Sequence, residues 1–175
     1  MKNKFIIFIS GLMMLSCSRE IPEDIHEHEE ANRLVLTYSE VGTTVEKVAE
    51  FNIGTGASVP IDLENGKIYN VDVEFFHDDE DLTHEIEEEI EEHFMKYIFS
   101  DMNVNVLRTA ADPTRTDGNK LGIHMTWTVN SVPSATSKVN MQLIHGATTV
   151  DDSTNNGAGS STGGEPDIDV TFIIQ

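Results

Sequence analysis

The chain has a single cysteine, few basic residues and no hydrophobic run long enough to cross a membrane. Cys17 is the only thiol in 175 residues, so no disulfide can form within the chain and stability must come from packing and backbone pairing. Lysine and arginine total 11 against 31 aspartates and glutamates. An excess of negative charge this large repels nucleic acid and anionic lipid headgroups, which excludes both as expected partners. Aromatic residues are sparse at 7 %, with one tryptophan, Trp127. No Gly-x-Ser-x-Gly elbow, phosphate-binding loop or cysteine nucleophile is present, and acidic pairs are too common for any one to be singled out as a catalytic acid and base. The expectation is a protein that is not an enzyme.

The first residues are informative. Lys2 and Lys4 precede an apolar stretch from Phe5 to Leu15, which has the length of an export-signal core and falls short of the ~20 residues of a membrane-spanning helix. The stretch ends in Met14-Leu15-Ser16-Cys17, the pattern of a lipobox, in which the cysteine becomes the acylated first residue of the mature chain. Residues 1–16 are therefore read as a lipoprotein signal peptide and Cys17 as the lipidation site. The signal holds two of the basic residues and none of the acidic ones, leaving nine against 31, a mature net charge of −22. Residues 17–31 are polar, acidic and contain Pro22, which predicts a flexible tether between lipid and domain. The expected address is the outer membrane, lipid-anchored, on its surface or its periplasmic face. Glu20, Glu23 and Glu27 close behind the anchor resemble surface-export signals of lipoproteins and favour the surface.

From residue 32 onward the pattern becomes strand-like. Leu34, Leu36 and Tyr38 alternate with polar or β-branched neighbours, and further runs rich in Val, Ile, Thr and aromatics cover Thr44–Ile53, Ser58–Leu63, Lys67–Phe76, Asn103–Thr109, Leu121–Asn130, Lys138–His145 and Asp167–Ile174. Turn residues such as Asn65-Gly66 and Asp117-Gly118-Asn119 separate them. This predicts a mainly β fold over 32–175, a single antiparallel immunoglobulin-like β-sandwich with Trp127 in its core. Asp78–Phe94 departs from the pattern, with Leu82, Ile86, Ile90 and Phe94 at four-residue intervals among acids. That spacing predicts one short acidic helix of about three turns. The apolar run from Phe94 to Phe99 is expected to return to strand. Asp151–Glu165, with no apolar periodicity, is expected to be a long mobile loop.

Seven histidines lie among the carboxylates, and their placement is uneven: His26 and His28 in the tether, His77 and His84 around the acidic run, His93 at its end. Neutral imidazole and carboxylate suit Zn²⁺ or Cu²⁺. On a helix, Glu85, Glu89 and His93 would project from one face, which makes them candidate metal ligands; a solvated acidic face with scattered histidines is the alternative. Asp112, Asp117, Asn119, Asp151 and Asp152 are loop residues that suit calcium or turn formation, without an EF-hand pattern.

Several stretches also resemble a known group. Leu82–Phe99 (LTHEIEEEIEEHFMKYIF), Asp117–Trp127 (DGNKLGIHMTW), Val139–Gly146 (VNMQLIHG) and Gly163–Gln175 (GGEPDIDVTFIIQ) are similar to segments of small acidic lipoproteins of Bacteroidota, commonly found beside TonB-dependent outer-membrane receptors. The resemblance implies that His93 and His145, with the glutamates before His93, carry the family pattern. It also implies a membrane-tethered accessory role beside such a receptor. Members often carry an Asp-Gly-rich loop where this chain has Phe51-Asn-Ile-Gly-Thr-Gly-Ala, which weakens the case for calcium at that position. The group is often labelled a type 1 periplasmic binding fold; two α/β lobes would require alternating strands and helices, which this short chain does not offer. The functional expectation is capture of a divalent metal, Zn or Cu, for a TonB-dependent transporter. The alternative is a structural or adhesive surface lipoprotein with no small-molecule ligand.

Overall fold

A computed structural model describes residues 31–175. The signal at 1–16, the Cys17 lipidation site and the tether up to residue 30 lie outside the described residues. Among the described residues no helix is long and apolar enough to cross a membrane. Ala31, the last residue assigned to the tether, packs against the core.

The elements run in order as strands β1 (Arg33–Glu40), β2 (Glu46–Asn52), β3 (Ala57–Ser58), β4 (Ile68–His77) and β5 (Glu80–Asp81), helix α1 (Thr83–Glu88), then β6 (His93–Ser100), β7 (Val104–Arg108), β8 (His124–Val129), β9 (Lys138–His145), β10 (Thr149–Asp151), β11 (Ser160–Thr162) and β12 (Glu165–Ile173). The larger sheet has the order β3-β2-β1-β4-β8-β7, with β5 paired to the end of β4; the smaller has the order β12-β9-β6, and β10 pairs with β11. All these strand pairs are antiparallel. The protein is mainly β and sandwich-like, as the alternation predicted.

Alternation decides which side chains meet. Leu34, Leu36, Tyr38, Val71, Val73, Phe75, Met125, Trp127 and Val129 from the larger sheet are buried with Met95, Tyr97, Val139, Met141, Leu143, Ile168, Val170 and Phe172 from the smaller. Removing this much apolar surface from water is the main stabilising term in a chain without disulfides. Trp127 contacts Tyr97 and Phe99 edge to face, with ring centroids 5.9 and 5.1 Å apart, so it joins the two sheets as expected. Arg108 at the end of β7 crosses the same gap. Its Nη1 and Nη2 donate to the carbonyls of Lys120 and Met95 at 2.7 Å each, and its guanidinium lies 4.5 Å from the Phe94 ring centroid.

Three expectations are corrected, the first being the strand over Ser58–Leu63, of which only Ser58 lies in a strand (β3) while Ile61 makes an isolated bridge to Ile174. The helix covers only Thr83–Glu88, with Leu82 as N-cap and Glu89 as C-cap, and not Asp78–Phe94. Leu82 and Ile86 are buried as the stripe required, but Phe94 belongs to β6. Glutamates at the C-terminal end oppose the helix dipole, and the alternating run from His93 finds eight strand partners on β9, so the ladder outcompetes a third turn. Asp151–Glu165 is not a long irregular loop either. It holds the end of β10, a 3-10 turn at Asn155–Gly157 and β11. Left-handed conformations at Asn155, Asn156, Gly157 and Gly159 fold it back against the sandwich, and the Tyr97 amide donates to the Ala158 carbonyl at 3.0 Å.

Candidate metal centre

Strand register brings the two singled-out histidines together. His93 opens β6, His145 closes β9, and the two are directly paired. Their rings are stacked, 4.9 Å between centroids and 27° between planes. Counting by twos along the strands, His93 is on the side of Met95 and Tyr97 and His145 on the side of Leu143 and Met141, which is the face that lines the core. The pair therefore sits where the inner face of the smaller sheet reaches the end of the sandwich.

A β-bulge adds the third group. On β12, Glu165 pairs with His145 and Pro166 with Ile144, but Leu143 pairs with Ile168, leaving Asp167 as an extra residue. Such a residue breaks the inside–outside alternation and re-aims its side chain. Asp167 Oδ2 lies 3.4 Å from His93 Nε2 and 3.6 Å from His145 Nδ1. One donor atom from each of the three residues lies within 4.8 Å of the others.

The opposite edge of each imidazole is held by an acceptor. His93 Nδ1 is 3.2 Å from the backbone carbonyl of Glu89, the C-cap of α1, and His145 Nε2 is 2.9 Å from Glu92 Oε2. These acceptors assign the N–H to Nδ1 of His93 and to Nε2 of His145 in the neutral rings. The remaining lone pairs then both face Asp167. Metal-ligating histidines are oriented in this way, by an outer carbonyl or carboxylate that fixes the tautomer. Ligand atoms around a tetrahedral zinc with bonds of ~2.0–2.1 Å are about 3.3 Å apart, so the histidine–aspartate distances need only a small contraction. The Glu92 hydrogen bond raises the His145 pKa above the ordinary value, with Asp167, Glu92 and Glu89 charges adding to it and burial opposing.

The connection between α1 and β6 is pinned. Arg115 Nη1 donates to the carbonyls of Ile90 and His93 at 2.7 and 2.9 Å, and Glu91 accepts from the Thr116 amide and hydroxyl. The Gly146 amide donates to the Glu92 carbonyl, closing the same corner from β9.

The structure thus joins His93 and His145 and replaces the helical partners. Glu85 lies in the first turn of α1 and Glu89 caps its end; neither belongs to the three-residue group. Glu89 contributes its carbonyl to His93 and its charge to His145. Asp167 escaped the sequence reading because a bulge leaves no periodic signature; the Pro166-Asp167 step at the start of the last strand was the only local cue.

The remaining acids take other roles. Asp112 is buried and its carboxylate accepts the amides of Gly122, Ile123 and His124, so it is a backbone clamp and not a calcium ligand. Burial pushes its carboxyl pKa up, and those amides pull it back. Asp152 accepts the Lys120 amide, while Asp117 and Asp151 cap the amides of Asn119 and Ser153. On another face, a groove of about 510 Å³ is lined by Asp72, Glu74, His84, Glu87 and His124, among others. His124 lies between Asp72 at 2.6 Å on Nδ1 and Glu87 at 3.8 Å on Nε2, an ion-pair geometry with both ring nitrogens engaged.

Compared with protein-family models, with curated proteins and with solved structures, the chain matches none of them.

Proposed function

We propose that this chain is a non-enzymatic, lipid-anchored outer-membrane protein that captures a divalent metal, Zn²⁺ or Cu²⁺, for a TonB-dependent receptor. The observation that carries the metal half is the convergence of His93 Nε2 and His145 Nδ1 on Asp167, each ring oriented from behind by an acceptor. Two imidazoles and one carboxylate form a borderline donor set suited to these ions. The anchoring half rests on the lipobox ending at Cys17, and the receptor half on the resemblance carried by Leu82–Phe99 and Gly163–Gln175.

Calorimetry tests it on the secreted chain carrying Cys17→Ser, so that no lipid complicates handling. Saturable binding of one Zn²⁺ or Cu²⁺ per chain is expected, lost when His93→Ala and His145→Ala are combined. Absence of saturable binding, or binding indifferent to that double substitution, overturns the metal reading. Pull-down from membranes of the source cell tests the receptor half, with recovery of a TonB-dependent receptor expected.

A further inference from the structure

Among the described residues the cluster supplies three donors. Among the described residues the group able to hold an ion contains His93, His145 and Asp167 and no fourth member. Glu92, the next carboxylate, accepts from Nε2 of His145. The two nitrogens of an imidazole point in divergent directions, so a group holding Nε2 is not placed to reach an ion at Nδ1. The Glu89 carbonyl is likewise aimed at the rear nitrogen of His93. Access is one-sided: the His93 side chain is 6 % exposed, His145 36 % and Asp167 40 %. An ion held here has protein behind it and solvent on the Asp167 side.

Zinc sites closed by four protein ligands are structural, whereas those with three protein ligands keep a position for water or another molecule. Resting on the reading of this cluster as a metal site, we propose that the bound ion keeps a coordination position open to solvent, which a small exogenous nitrogen or oxygen donor fills. The protein then holds the metal as a ternary complex with a carboxylate, amine or imidazole compound, which enters and leaves at that position while His93, His145 and Asp167 keep the ion. A closed four-ligand site would have to lose a protein ligand first.

Cobalt substitution separates this inference from the reading beneath it, because Co²⁺ takes zinc-like ligand sets and its visible absorption reports coordination. The secreted chain carrying Cys17→Ser is loaded with one equivalent of Co²⁺ and titrated with imidazole, then separately with thiocyanate. The expected result is a saturable change in the visible bands with each ligand, the cobalt staying with the protein through gel filtration. If cobalt binds through His93 and His145 but neither ligand moves its bands, the site is closed and the inference falls while the metal reading stands. If either ligand strips the cobalt from the chain, the ternary complex is refuted. If no cobalt binds, both fall together.

Discussion

Glu92 and Asp112 show how differently two carboxylates act in one chain. Glu92 orients His145 from behind the candidate metal cluster, and loss of such an outer partner from a metal site lowers affinity by about 10–100-fold. Glu92→Gln is therefore expected to weaken Zn²⁺ binding by that factor in calorimetry without unfolding the domain. In the metal-free protein the same change should bring the His145 pKa down toward its ordinary value, read by NMR titration. The sign for stability follows: a histidine whose pKa is raised on folding stabilises fully below its unfolded value, and that contribution is lost as pH rises through the raised one. Asp112 holds backbone instead. Asp112→Ala leaves three amides around Gly122 without their acceptor, and at roughly 1–3 kcal/mol per orphaned buried group the domain should lose at least about 3 kcal/mol in urea denaturation. Glu74 in the outer groove has the opposite sign. Burial and then the charges of Asp81, Asp72 and Glu46 raise its pKa, while His124 lowers it. An acid raised in this way destabilises the fold when ionised, so Glu74→Gln should raise the melting temperature at pH 7. That gain should disappear as pH falls through the raised pKa, where the wild-type side chain takes up its proton.

Elements differ in how plainly the sequence announces them. Strands β1, β4, β8, β9 and β12 were legible because a half-buried strand writes its inward face every second residue, as in Leu34-Leu36-Tyr38 and Val139-Met141-Leu143. The run from Ile86 to Phe94 reads as a helix because four-residue spacing fits a helix stripe, while pairing of His93–Ser100 with β9 is a non-local gain that no local pattern records. The segment from β10 to β11 was illegible for a further reason: its fold is carried by backbone conformation and not by apolar side chains. Gly157 has φ +82°, and a Cβ there would lie 1.9 Å from the Val106 carbonyl oxygen. Gly66 has φ +80° with open space around the same position. Comparing Gly157→Ala with Gly66→Ala thus separates clash from conformational cost. The Gly66 change should cost about 1–2 kcal/mol, the penalty of a left-handed side chain alone. The Gly157 change should cost clearly more and should raise amide exchange at Tyr97, whose partner is the neighbouring Ala158 carbonyl.

Across the whole molecule, charge is the property the sequence announces most loudly. Acids outnumber lysines and arginines 31 to 11 in the chain, so pairs such as Lys47–Asp62 and Lys67–Glu40 cannot balance the negative charge. Self-repulsion of that size destabilises a compact state, and salt screens it as the Debye length falls from ~10 Å at 0.1 M to ~3 Å at 1 M. The melting temperature is expected to rise with sodium chloride over that range, since screened repulsion among 31 acids outweighs the few pairs weakened. A net negative charge attracts cations without discrimination, so under the proposed function the selectivity of the site would come from the donor geometry at His93, His145 and Asp167.

The bulge that places Asp167 also makes the site separable from the fold in evolution. Deleting that one residue would leave Pro166 opposite Ile144 and Ile168 opposite Leu143, an unbroken ladder with Val170 and Phe172 still facing inward. A single codon therefore divides a three-donor chelate from a bare histidine pair on the same scaffold.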